Sequence, residues 1–187
     1  PWWWKLMGRP VALFVFIPYV AFTLIFVVFQ RQLIYRPSVA TDLSVAAVGL
    51  DPTVVRDLHL ETPDGDTLHG WLMAPSGNEP GQTGKRINDL REVAACGFDV
   101  LIFDYRGYGD SSGRPSEAKL TADARLIWNY ARQELGYDAK DIVIFGESLG
   151  GAVALSMWSV DNANPPQPAA LILSSTFASL PQTVAWH

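Results

Sequence analysis

The chain has 187 residues, enough for one domain with an appendage, since single cores occupy about 100 to 200 residues. Its formal net charge is -5, from 14 Lys and Arg against 19 Asp and Glu, so no broad basic face is available for phosphates and nucleic acid is excluded as a partner. Cys96 is the only cysteine, which rules out an internal disulfide and a cysteine-based zinc site; on a helix it reads as a small buried apolar residue.

Hydrophobic residues make up 49% of the chain, and much of the excess sits at its start. Val11 to Phe29 carries no charge, and a helix of that length spans roughly 28 Å, close to the hydrocarbon thickness of a bilayer. Residues 1–36 are therefore read as a membrane anchor with its span at about 11–29. Trp2, Trp3 and Trp4 suit one interface and Tyr35 the other, while Lys5, Arg9, Arg31 and Arg36 flank the run. Pro18 is a kink that spanning helices tolerate. The run is too long for the apolar region of a cleaved signal peptide, and it has no polar face for a buried core helix. Two basic residues on each side leave the orientation undecided. A start at Pro1 rather than Met leads us to expect further residues upstream.

Residues 37–51 form a weakly patterned connector, and the domain is expected over 52–187. Val54 to Glu61 and Thr67 to Met73 read as strands of an antiparallel hairpin around the turn cluster Pro63-Asp64-Gly65-Asp66. Ser76 to Gly84, SGNEPGQTG, is loop. Ile87, Leu90, Val93 and Ala94 recur at helical spacing before Gly97, and Asp99 to Asp104 contains the short apolar strand Val100-Leu101-Ile102-Phe103. Ser116 caps a second helix whose apolar face is Leu120, Ala124, Ile127, Trp128, Ala131 and Leu135, with Gly136 as its stop. Ile142 to Phe145 is another apolar strand, a helix follows to about Val160, and Ala169 to Leu173 is a third strand. Apolar runs without alternation predict strands covered on both faces, and their alternation with helices predicts parallel crossovers. The fold class is α/β, with a largely parallel sheet carrying helices on both faces.

The segment between the last two strands carries the chemistry. Gly146-Glu147-Ser148-Leu149-Gly150 follows an apolar strand directly and opens an Ala-rich helix, the context in which Gly-x-Ser-x-Gly is a nucleophile elbow. Such a turn holds the serine in a strained conformation above the sheet, with the flanking glycines removing clashes. Ser148 is the candidate nucleophile, Leu149 the candidate oxyanion donor through its backbone N–H, and Gly146 and Gly150 serve the geometry. Gly151 and Ala152 extend the run of small residues. The three histidines have no ligand-like spacing and no phosphate-cradling loop is present, so neither a metal nor a cofactor is expected.

With these residues the chain resembles an α/β-hydrolase, specifically the membrane-anchored serine hydrolases related to lysophospholipase-like and serine aminopeptidase-like enzymes. Asp104-Tyr105-Arg106-Gly107-Tyr108-Gly109-Asp110-Ser111 is similar to the family's Asp-x-Arg-Gly-x-Gly-x-Ser segment, and Gln32 to Pro37 and Thr62-Pro63-Asp64-Gly65 also match its layout. The resemblance implies that Asp104, Arg106, Gly107 and Gly109 shape a loop beside the site, and that the substrate is a small or lipid-like ester, thioester or amide. It also implies a catalytic acid and then a histidine after the serine. Asp161 and His187 are the only such residues downstream. A helix of about 12 residues would carry Asp161 some 18 Å from the elbow, and His187 is terminal. His59 and His69, in the hairpin, read as strand or surface residues. Relatives further place an apolar strand and a His-Gly loop between the hairpin and the Ile87 helix, so the domain reads as incomplete, with an internal gap near Thr83-Gly84 and a missing carboxyl-terminal part.

Overall fold

The structure, a computed structural model, describes residues 14–25, 28–29, 45, 50–75, 85–159 and 166–176. The chain separates into two compact units, Pro1–Pro37 and Ser38–His187. In the first unit, residues 14–25 are helical, with Phe14, Phe16 and Phe22 exposed, and Thr23 Oγ1 donates to the Tyr19 carbonyl one turn back (2.8 Å). Among the described residues, no helix is long and apolar enough to cross a membrane. The span expected at 11–29 extends onto residues outside those described.

In the second unit, β1 (Val55–Glu61) and β2 (Thr67–Met73) form the expected hairpin, in register from Val55 opposite Met73 to Glu61 opposite Thr67. Thr62 closes the turn: its N–H donates to the Asp66 carbonyl (2.8 Å), and its hydroxyl accepts the Asp66 N–H (3.0 Å). α1 (Lys85–Ala95) leads to β3 (Val100–Phe103), which pairs antiparallel with β2. α2 (Glu117–Gln133) starts at the expected cap, where Ser116 Oγ accepts the Lys119 N–H (3.3 Å), and it buries Leu120, Trp128 and Ala131. After a short 3-10 turn at Ala139–Asp141 come β4 (Val143–Glu147), α3 (Leu149–Ser159) and β5 (Ala170–Ser174), with β4 and β5 parallel.

Val45 and Leu50, from the segment read as a connector, are buried with Val55, Met73 and Ala94, and Val54, Trp71 and Val100 pack against that cluster. Hydrophobic burial thus ties the approach segment to the hairpin and α1.

Three expectations are corrected here. The described strands do not form one largely parallel sheet: β1-β2-β3 is antiparallel, β4-β5 is a separate parallel pair, and no ladder joins β3 to β4 among the described residues. Nor is the parallel pair covered on both faces. Gly146 turns toward α3, whereas Phe145 on the opposite face is 65% exposed beside Ile172 at 51%. An apolar run signals a strand able to be covered twice, but the second cover must come from a neighbour that the run does not specify. Cys96, expected buried, is exposed, because it lies one residue beyond the end of α1.

Candidate active site

β4 ends at Glu147 and α3 begins at Leu149, so Ser148 alone makes the turn from strand to helix. Its φ is 51°, the left-handed region that costs a residue with a Cβ roughly 1–3 kcal/mol and persists only where neighbours over-determine it. Those neighbours can be named. Ser148 N–H donates to the Ser174 carbonyl at the end of β5 (2.9 Å), and Thr176 Oγ1 donates to the Ser148 carbonyl (3.0 Å). Ser148 itself is exposed. A Cβ on Gly146 would lie 2.6 Å from Gly151 Cα and 2.8 Å from the Gly150 carbonyl oxygen, so only glycine lets the strand end approach the first turn of α3 this closely. Leu149, the expected oxyanion donor, is the first residue of α3, where backbone N–H groups have no intrahelical partner.

Gly150 faces the second motif. A Cβ there would stand 3.3 Å from the Tyr105 hydroxyl, which brings the loop after β3 against the elbow. The Asp104 to Ser111 loop is tightly held. Gly107 and Gly109 adopt φ of 75° and 52°, and Gly107 N–H reaches the Ser111 carbonyl (3.2 Å). Ser111 Oγ accepts the His69 N–H (2.8 Å) and donates to the Asp104 carbonyl (2.9 Å), stitching the loop to β2.

Arg106 is the buried charge of this loop, with its side chain 2% exposed. Its Nε and Nη2 fork onto the two carboxylate oxygens of Asp123 on α2 (2.7 and 2.6 Å), while Nη1 reaches Asp64 (2.6 Å) and Asp66 (2.7 Å) in the hairpin turn. Lys119 Nζ adds contacts of 2.8 Å to Asp64 and 3.3 Å to Asp66. The Asp123 carboxylate, and then Asp64, hold the Arg106 guanidinium well above its usual range, against the opposing effect of burial. Hydrogen bonds from Arg106, then Lys119 and Thr62, hold the Asp64 carboxyl well below the usual carboxylate range. Arg106 therefore ties hairpin turn, loop and α2 together.

His69 is buried on β2 with a carboxylate at each ring nitrogen: Nε2 lies 3.2 Å from Asp57, which also accepts the Trp71 indole N–H (2.8 Å), and Nδ1 lies 3.4 Å from Asp104. Burial pushes the Asp104 carboxyl up, opposed by its hydrogen bond to His69. Two carboxylates thus engage this histidine in the first sheet. Among the described residues the histidines are His59 and His69, both on the hairpin; Asp161, His187 and the gap near Thr83-Gly84 lie outside the described residues. Sequence reasoning missed Thr176, Tyr105, Asp123 and the His69 cluster. A buried arginine in a loop motif signals that a carboxylate must exist, but no spacing rule says which one.

No group of side chains that could hold a metal ion occurs among the described residues. The strand-elbow-helix unit and the loop packed against it define an α/β hydrolase. The family model described as Hydrolase_4, serine aminopeptidase S33, matches residues 82–186, and the chain belongs to that family. It is 40% identical over 169 residues to the uncharacterized protein Rv2307c of Mycobacterium tuberculosis strain H37Rv, covering 84% of this chain and 57% of that protein. It is 36% identical over 104 residues to the lysophosphatidylserine lipase ABHD12 of Danio rerio, covering 54% of this chain and 26% of that one. An α/β hydrolase from Vibrio vulnificus shares the fold with a TM-score of 0.68 at 23% identity, over 85% of this chain and 61% of its own. The chain thus spans just over half the length of the first curated relative.

Proposed function

We propose that this chain is the nucleophile-bearing part of a membrane-anchored serine hydrolase acting on an ester, thioester or amide. The observation that carries the reading is the left-handed Ser148 at the junction of β4 and α3. In the proposed step, Ser148 Oγ forms a bond to the acyl carbon and its proton passes to a histidine base held by an acid. The carbonyl oxygen gathers negative charge beside the Leu149 N–H. The bond to the leaving alcohol, thiol or amine then breaks as that group takes the proton, and water releases the acyl group from Ser148. The acid and the base are assigned to residues outside those described. The helical apolar segment at 14–25 supports the anchor, and with it a lipid-like acyl substrate, the substrate class named by the ABHD12 relative.

The second reading is a non-catalytic member of the family. It is favoured by the pairing of His69 with Asp57 and Asp104, which leaves the described residues without a base committed to Ser148. A fluorophosphonate probe separates the two. Labelling of the folded chain that disappears in Ser148→Ala supports the hydrolase, and a folded chain that takes up no label supports the non-catalytic reading.

A further inference from the structure

Ser148 and Ser175 are the only non-glycine residues with a left-handed backbone among those described, with φ of 51° and 50°. They are not scattered. β4 and β5 are parallel and in register, Glu147 stands opposite Ser174, and each serine is the next residue along its own strand. Neighbouring strands lie about 4.8 Å apart, and in-register parallel strands present corresponding side chains to the same side. Ser148 and Ser175 are therefore matched corners leaving such a pair, with backbones roughly 5 Å apart. Both residues are exposed at the carboxyl ends of their strands, where open α/β sheets bind their ligands.

The second corner is also fastened to the first. The ladder closes through Ser148 N–H to the Ser174 carbonyl, and Thr176 Oγ1 reaches back to the Ser148 carbonyl. Thr176 Oγ1 and Cβ fill the space that a side chain on Gly151 would need. Ser175 is thus held between two residues that both grip the elbow. Strain of this kind collects at functional sites.

We infer that Ser175 is a substrate-contacting residue of the same site, its hydroxyl hydrogen-bonding the polar group of the bound acyl compound beside the bond that Ser148 attacks. This rests on the hydrolase reading of Ser148. The test is the second-order rate at which a fluorophosphonate probe labels the whole chain, measured for wild type, Ser148→Ala, Ser175→Ala and Ser175→Gly, with a thermal melt of each. Alanine keeps the strain and removes the hydroxyl; glycine removes both. Both Ser175 variants are expected to melt as folded proteins and to label on Ser148 roughly threefold to tenfold more slowly, the loss of one neutral hydrogen bond. Wild-type labelling rates in Ser175→Ala overturn the inference and leave Ser148 intact as nucleophile. So does a slowed Ser175→Ala with an unslowed Ser175→Gly, because the backbone and not the hydroxyl then matters. A folded wild type that takes up no label overturns the hydrolase reading, and this inference with it.

Discussion

Replacing Arg106 by alanine removes the guanidinium that pairs with Asp123 on α2 and, beside Lys119, with two further carboxylates in the hairpin turn. Asp123 decides the size of the effect, because its side chain is only 4% exposed and cannot recover water in place of the guanidinium. Breaking a buried pair from one side costs about 3–5 kcal/mol. Asp64 and Asp66 are 43% and 23% exposed, so water screens much of their loss and they add little. In a domain of this size each kcal/mol lowers the melting temperature by about 2–4 °C, which predicts a fall of roughly 6–20 °C for Arg106→Ala. The assay is thermal and urea unfolding followed by circular dichroism. Arg106→Lys should fall between wild type and alanine, since lysine keeps the charge but lacks the fork. The double variant Arg106→Met, Asp123→Leu should recover part of the loss, because a buried pair replaced on both sides leaves no orphaned charge. A loss below about 1 kcal/mol in Arg106→Ala, or no recovery in the double variant, would refute the reasoning.

Gly146→Ala should destabilise the elbow or abolish soluble expression, because the added methyl group meets the backbone of Gly150 and Gly151 rather than a movable side chain; a melt within 1 °C or so of wild type would sink that account of the close approach. Acid titration follows from Asp64. Its folded carboxyl is depressed below the unfolded value of about 3.9, so the unfolded chain binds more protons between the two values. The contribution is therefore complete above about pH 5 and is lost as pH falls below 4 toward the folded value. Urea midpoints of wild type and Asp64→Asn, measured from pH 7 downward, should converge in acid, and a constant difference between them would contradict the assignment.

Elements were legible in the sequence wherever one face of one segment carried the signal. The hairpin with its Pro63 to Asp66 turn, the Ser116 cap and the Leu120, Trp128, Ala131 face of α2 are local, and each appears where its pattern placed it. Pairing between strands was not legible, because hydrogen-bond partners are non-local and an apolar strand such as Val143 to Phe145 has no preference written into it for one neighbour, two or none. The strand-to-helix turn at Ser148 is local too, through its glycines. What fastens it comes from Thr176, 28 residues away, and Arg106 finds its carboxylates 17 to 42 residues away. Those contacts are set by folding and not by spacing.

The two fastenings differ in kind, and the difference has a consequence for how the site responds to its surroundings. Around Arg106 the loop is fixed by charge, through three carboxylates of unequal exposure. Around Ser148 the elbow is fixed by neutral groups: a ladder bond to Ser174, the Thr176 hydroxyl, and glycine contacts that leave no space for a side chain. Protonation of Asp64 acts on the first set and leaves the second unchanged, while salt acts only on the exposed part of the first. The loop is therefore the part of the site that acid loosens, and the left-handed serine is the part that persists until the β4-β5 pair itself separates. That order follows from position: Tyr105 links the two sets through Gly150, but neither hydrogen bond that holds the Ser148 backbone to the β5 corner involves a group that titrates in acid.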